Sequence, residues 1–210
     1  RIVVPFQKIP TKLKQAALAV EDANFYYHLG IDPKAISRAF FTNLKAGYVV
    51  EGGSTITQQL SKTLFLSRER SLVRKIKEAI IAVRLELVFT KDEILEMYLN
   101  QIYYGHGSYG VEAAARTYFG KHVKDLTLDE CALIAALPKA PNNYSPYRNP
   151  KRARSRRNHV IRRMAQEGFI GRREAKEAMN SEFKLGEVTN MLNKAPYFVE
   201  FIRQQLMSLY

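Results

Sequence analysis

The chain has a single cysteine, few alternating strand patterns and no apolar run long enough to cross a bilayer. Cys131 has no second thiol to pair with, so no intrachain disulfide can form. Its place in "CALIAAL" predicts a buried thiol and leaves the redox compartment open. A spanning helix needs about 18 consecutive apolar residues; none is present, and no signal peptide opens the chain. His28, His106, His122 and His159 share no metal-ligand spacing, which argues against a zinc site held by protein alone. "EGGSTITQQLSK" (51–62) lacks the Gly-Lys-Ser/Thr ending of a P-loop. The G-x-G-x-x-G in "YYGHGSYG" (103–110) follows a helical pattern rather than a strand, which excludes a dinucleotide fingerprint. Those glycines instead predict a tight turn and close packing of the alanine-rich segment after it.

Acidic residues are also in short supply. Twenty Asp and Glu stand against 33 Lys and Arg, a net charge of +13 over 210 residues. Residues 151–173 hold nine basic residues against Glu167 alone, a net +8. Such a surface suits a polyanion: nucleic acid, anionic lipid headgroups or a phosphate-bearing substrate. With 46% hydrophobic residues, one domain or two closely packed lobes can build a core. The abrupt start at Arg1 and the helical pattern of "PYFVEFIRQQLMSLY" at the other end lead us to expect a piece of a longer protein.

What is abundant is helix punctuation. Asp32-Pro33 predicts an N-cap with proline at the first helical position. Thr55 with Gln58, Thr90 with Glu93 and Thr127 with Glu130 each match a capping box. Between these starts a 3.6-residue period dominates, "RIVVPF" is the best strand candidate, and "LPKAPNNYSPYRNP" (137–150) is an extended connection. The predicted fold class is all-α.

Chemistry concentrates in three stretches. In "VEDANFYYHLGID" (20–32), Thr11 is the expected N-cap of a helix that runs out near Asn24. Glu21 and Asp22 then sit at the negative end of its macrodipole, beside Phe25, Tyr26 and Tyr27. Both effects raise a carboxyl pKa toward that of a general base, and only one of two adjacent acids faces a given cleft. The glycine pair before "STITQQLSK" offers exposed backbone N–H groups to an anion, with Gln59 and Lys62 along the helix. In "RERSLVRKIKEAIIAVRLE" (68–86), Arg74 and Lys75 share a helical side with Glu78. Taken singly, these also fit a solvated acidic pair, an ordinary capped helix and a surface ion pair.

Together the stretches resemble the peptidoglycan glycosyltransferases, the glycosyltransferase domain of class A penicillin-binding proteins. "EDANFYYHLGID", "GGSTITQQLSK", "RKIKEAIIA", "YLNQIYYGHGSYGVEAAARTYFGK" and "LTLDECALIAALPKAPNNYSP" match its five motifs in order. His106, between two glycines, is a small departure. The resemblance implies a lysozyme-like α-helical fold over residues 1–210, with a large lobe and a smaller membrane-associated jaw near 39–70. "AFFTNLKAGYVV" (39–50) fits that jaw, with Phe40, Leu44 and Tyr48 at four-residue spacing. It implies polymerisation of lipid II into a growing β-1,4 glycan chain, with inversion and release of undecaprenyl pyrophosphate. Glu21 would be the general base and Glu78 the second catalytic acid, orienting cations or holding Mg2+ or Mn2+ at the pyrophosphate. Asp22, Ser54, Thr55, Gln59, Lys62, Arg70, Arg74, Lys75 and Tyr103 would contact substrate. Expected partners are an anionic membrane surface and a downstream transpeptidase domain, with no nucleic acid. The expected location is the outer face of the bacterial cytoplasmic membrane.

Two rival classes make different demands. A basic helical nucleic-acid-binding domain leaves the acidic and glycine motifs unexplained and lacks a helix-turn-helix signature. A lysozyme-like lytic hydrolase needs a strong acid for a poor leaving group and has no use for clustered cations.

Overall fold

The structure is a computed structural model that describes residues 2–48, 52–65, 71–182 and 184–186. Among these residues the chain folds into helices α1 (Thr11–Glu21), α2 (Pro33–Ala46), α3 (Ile56–Phe65), α4 (Leu72–Val88) and α5 (Lys91–Gln101). A short antiparallel ribbon, β1 (Tyr103–Gly105) and β2 (Ser108–Tyr109), precedes α6 (Val111–Phe119), α7 (Leu128–Ala136), α8 (Pro150–Gln166) and α9 (Arg172–Asn180). The all-α expectation holds apart from that ribbon.

The local reasons are mostly those the punctuation predicts. Thr90 and Thr127 close capping boxes with Glu93 and Glu130, and Asp32 accepts from the backbone N–H groups of Lys34 and Ala35. Thr55 and Gln58 exchange the same reciprocal pair of bonds, both 3.1 Å long. Two expectations fail. Pro10 occupies the N-cap of α1 and Thr11 lies inside the helix, which ends at Glu21 because Asp22 leaves helical geometry. The stretch "RIVVPF" forms no strand among its described residues. The Asn100 side chain accepts from Val4 N–H and donates to Val4 C=O, supplying the bonds a strand neighbour would otherwise make.

Nearly every residue of α7 is buried, and α1 and α8 pack directly against it. Ala16, Ala19, Ala132, Ala135 and Ala136 line these contacts, so the helices approach closely. Cys131 is buried there, as predicted. A second layer sets α3 between α4 and α5, under Phe25, Leu60, Leu95 and Tyr98. Within the basic segment, Arg157 is fully buried. Its guanidinium donates to Met179 C=O at 2.8 Å and Ser181 C=O at 3.0 Å, pinning the end of α9 to α8. That charge serves packing and is not part of a solvated face.

The ribbon turns through His106 and Gly107, whose φ angles are 48° and 74°. Two successive positive values are the signature of a tight two-residue hairpin. His106 tolerates this because its Nε2 meets Ser145 Oγ at 2.8 Å. Gly110, with φ 84°, has no room for a side chain: a Cβ would lie 2.6 Å from Asn100 O. Gly120 has φ 66° but open space around it. Gly110→Ala should therefore lose about 2 kcal/mol or more, against about 1 kcal/mol for Gly120→Ala. Urea unfolding midpoints measure both; equal losses would contradict the packing argument.

Candidate active site

Glu21, the last residue of α1, is half-buried, and its carboxylate accepts from Gln59 Nε2 at 2.9 Å. Burial pushes its pKa up. The Gln59 bond and the positive charges of Arg156 and Lys139 oppose that rise, and Asp22 adds a smaller upward push. The direction agrees with the sequence argument, but the covering groups differ. Tyr26 and Tyr27 are exposed, and Tyr26 bonds Asp92 instead. Burial raises the pKa values of two buried phenols, Tyr98 and Tyr104, and the nearby Glu21 charge raises them further.

Asp22 has a different environment. Both its oxygens lie 3.0 Å from His28 Nε2, and one also accepts the backbone N–H of Ile56 at 3.0 Å. The second acid thus anchors the N-terminus of α3, where a carboxylate is favourable. Thr55 also points inward, donating from Oγ1 to Gly30 C=O at 2.6 Å while capping α3.

Glu78, buried on α4, meets Arg74 Nε at 3.1 Å and Lys75 Nζ at 2.9 Å. Lys75 Nζ also donates to Ser54 Oγ at 2.8 Å. The entry to α3 therefore links both acids: Ser54 reaches the Glu78 cluster, Ile56 reaches Asp22 and Gln59 reaches Glu21. Lys62 is exposed further along α3. Tyr103 lies on the ribbon, its ring 4.9 Å from that of Tyr109 and next in sequence to buried Tyr104. Arg70 lies outside the described residues.

No group of three or more His, Cys, Asp or Glu side chains converges on one point among the described residues. With Arg74 and Lys75 on Glu78, the donor set does not form a protein-held divalent site.

A second cationic wall was not assigned from sequence. A cavity of about 490 Å³ is lined by Arg152, Arg156, His159 and Arg162 of α8, with Asn143 and Tyr144. Arg156 lies over the Tyr144 ring at 5.8 Å and acts electrostatically on Glu21. His159 has its pKa lowered by burial and by the arginines and Lys139 around it. The signal was present: positions 152, 156, 159 and 162 recur at helical spacing, while Arg157 falls between them.

Residues 1–165 match the transglycosylase family model. The chain is 51% identical over its whole length to penicillin-binding protein 1A of Aquifex aeolicus, of which it covers 29%. It is 47% identical to penicillin-binding protein 1A of Escherichia coli, also over its whole length, covering 25% of that protein. A crystal structure of penicillin-binding protein 1A from Haemophilus influenzae superposes over the whole chain and 22% of that protein, with a TM-score of 0.58 and 29% identity. The chain belongs to the transglycosylase family, glycosyltransferases of peptidoglycan synthesis with a mostly α, lysozyme-like fold. It spans between a quarter and a third of the length of these curated relatives.

Gln59 favours the charged form of Glu21, so Gln59→Ala should raise that pKa further. Were Glu21 a catalytic base, it would work only when deprotonated, so the acid limb of the kcat/KM profile should move to higher pH. A limb at the wild-type pH would separate Gln59 from the base.

Proposed function

We propose that this domain polymerises lipid II into β-1,4 glycan strands, with Glu21 as the general base. The observation that carries this reading is a carboxyl with a raised pKa, joined through the entry of α3 to a cluster of cations around Glu78. Glu21 takes the proton of the acceptor's 4-hydroxyl as that oxygen forms its bond to the donor's anomeric carbon. The bond from that carbon to the pyrophosphate breaks on the opposite face, and undecaprenyl pyrophosphate leaves with the electron pair. The anomeric configuration inverts. Pyrophosphate needs its charge neutralised more than it needs a proton, which is the task of Lys75 and Arg74; Glu78 holds both in place. The acceptor carries a pyrophosphate too, and the arginine wall of α8 beside Glu21 suits it. A lytic hydrolase has no use for two cationic walls. A nucleic-acid module has none for a raised carboxyl pKa.

Among the described residues no helix is long and apolar enough to cross a membrane. On α2 only Ala39 is buried, while Phe40, Phe41 and Leu44, together with Tyr48 just past its end, are 62, 66, 68 and 72% exposed. Such a face suits shallow insertion at a bilayer surface, where a lipid-linked pyrophosphate lies at headgroup level. In the whole protein we place the domain on the outer face of the cytoplasmic membrane, beside a membrane anchor and a transpeptidase domain.

Glu21→Gln keeps size and hydrogen bonding but removes the base, so lipid II turnover should fall about 100-fold or more with the fold intact. Near-wild-type turnover would remove Glu21 from this role. Replacing Phe40 and Leu44 with serine should reduce flotation with anionic vesicles while leaving the circular dichroism spectrum unchanged. Undiminished flotation would place the membrane contact elsewhere.

A further inference from the structure

The cationic wall of α8 is longer than one pyrophosphate. Helical rise sets Arg152 and Arg162 roughly 15 Å apart along the helix, with Arg156 between them. A pyrophosphate is compact and engages two neighbouring guanidiniums at most, so it leaves one end of the wall for another anion. None of the described residues lining the cavity is acidic. The two ends also differ in chemistry. At the start of α8, Arg152 and Ser155 share the lining with Asn143 and Tyr144 of the preceding connection. Asn149 N–H donates to Ser145 C=O at 2.8 Å and Asn149 Nδ2 to Asn142 C=O at 3.5 Å, which folds that connection back against the first turn of the helix. This end therefore offers a guanidinium beside a carboxamide, a hydroxyl and an aromatic face. The other end offers Arg162 and the His159 ring. Arg156, in the middle, keeps its Nε buried without a hydrogen-bond partner.

We propose that the Arg152 end of this cavity binds the peptide of the acceptor substrate, with Arg152 on a peptide carboxylate and Asn143 on a peptide amide, while the pyrophosphate takes the end formed by Arg156 and Arg162. This rests on the lipid II reading above and adds a specificity site to it. Peptidoglycan precursors carry peptide and pyrophosphate on the same sugar, one unit away from the hydroxyl delivered to Glu21. Two separate anionic groups on one sugar match a wall with two separated cationic ends. A carboxylate pairs with a planar guanidinium through two parallel hydrogen bonds, and a carboxamide meets a peptide group with a donor and an acceptor together. An anionic lipid headgroup brings no peptide group for Asn143, and free pyrophosphate brings nothing to the far end. Seating both groups on α8 fixes the orientation of that sugar, and so turns the 4-hydroxyl of its neighbour toward Glu21.

Binding to the whole domain tests this without a polymerisation readout. Three probes are compared: a muramyl pentapeptide, the same compound with its free carboxyl groups amidated, and inorganic pyrophosphate. Calorimetry at fixed ionic strength gives the affinities, and the side-chain amide resonances of Asn143 report where the peptide sits. Neutralising one partner of a charge-assisted hydrogen bond costs roughly tenfold in affinity, so the acid peptide should bind about tenfold more tightly than the amidated one. It should also shift the Asn143 amide and still bind when pyrophosphate is saturating. Arg152→Gln should remove most of that preference and spare pyrophosphate binding, whereas Arg162→Gln should do the reverse. Both arginines are exposed, so neither variant disturbs the core. Arg173→Gln, at a side chain 93% exposed on α9, corrects for the lost unit of net charge. Equal affinity for acid and amidated peptides, equal effects of Arg152→Gln and Arg173→Gln, or complete displacement of the peptide by pyrophosphate would overturn the proposal. Displacement by anionic vesicles would also overturn it, by making the wall a headgroup site. Failure to turn over lipid II with these binding differences intact would count against the proposed function and leave the peptide site standing.

Discussion

The backbone N–H of Ile56 donates to the Asp22 carboxylate, and the geometry of the site depends on that bond. It joins the residue after Glu21 to the first turn of the helix that carries Gln59. A carboxylate at a helix N-terminus is stabilised by the unpaired N–H groups and the dipole there, and a charged acceptor strengthens the hydrogen bond. His28 holds the same carboxylate from the other side, and Lys91 donates to the His28 carbonyl at 2.6 Å. The chain between Glu21 and α2 is thereby tied to α3 and α5 before any substrate arrives. Adjacent acids divide the work: Asp22 fixes the helix, and Glu21 is left with Gln59 as its hydrogen-bond donor.

From that joint the two halves of the site follow. In one direction Ser54 and Lys75 lead to Glu78 and Arg74, a carboxylate surrounded by cations. In the other, Arg156 and Lys139 bring positive charge to bear on Glu21. These charges pull the Glu21 pKa down while burial pushes it up, and burial dominates. A base poised this way would respond to an arriving pyrophosphate. An anion on the arginine wall would offset that positive charge and raise the proton affinity of Glu21.

Much of this was legible in the sequence, for identifiable reasons. The Thr90–Glu93 and Thr127–Glu130 capping boxes are local exchanges between residues three apart, and both form as predicted. Arg74 and Lys75 meet Glu78 because helical spacing alone brings them together. The errors arose where a tertiary partner decides. Val4 takes its bonds from Asn100, 96 residues away, so no strand forms there. Tyr26 turns out to Asp92, and the buried phenols that feel the Glu21 charge come from α5 and the ribbon, which no local pattern discloses. Charge summed over residues 151–173 does not separate its members, whereas Arg157 is a buried pin and Arg152, Arg156 and Arg162 line a cavity. Helical periodicity separates those two sets, but only the packing of α9 shows which of them is buried.

The central claim is that a desolvated carboxylate takes a proton from a sugar hydroxyl while fixed cations receive a departing pyrophosphate. Lipid II carrying carbon-13 at the donor anomeric position tests it most directly, because magnetic resonance reports the configuration of each new linkage and phosphorus resonances report the released lipid pyrophosphate. The account predicts β-linked polymer, with one undecaprenyl pyrophosphate appearing for each bond formed. Retained α configuration, cleavage of preformed glycan, or linkage without pyrophosphate release would contradict it.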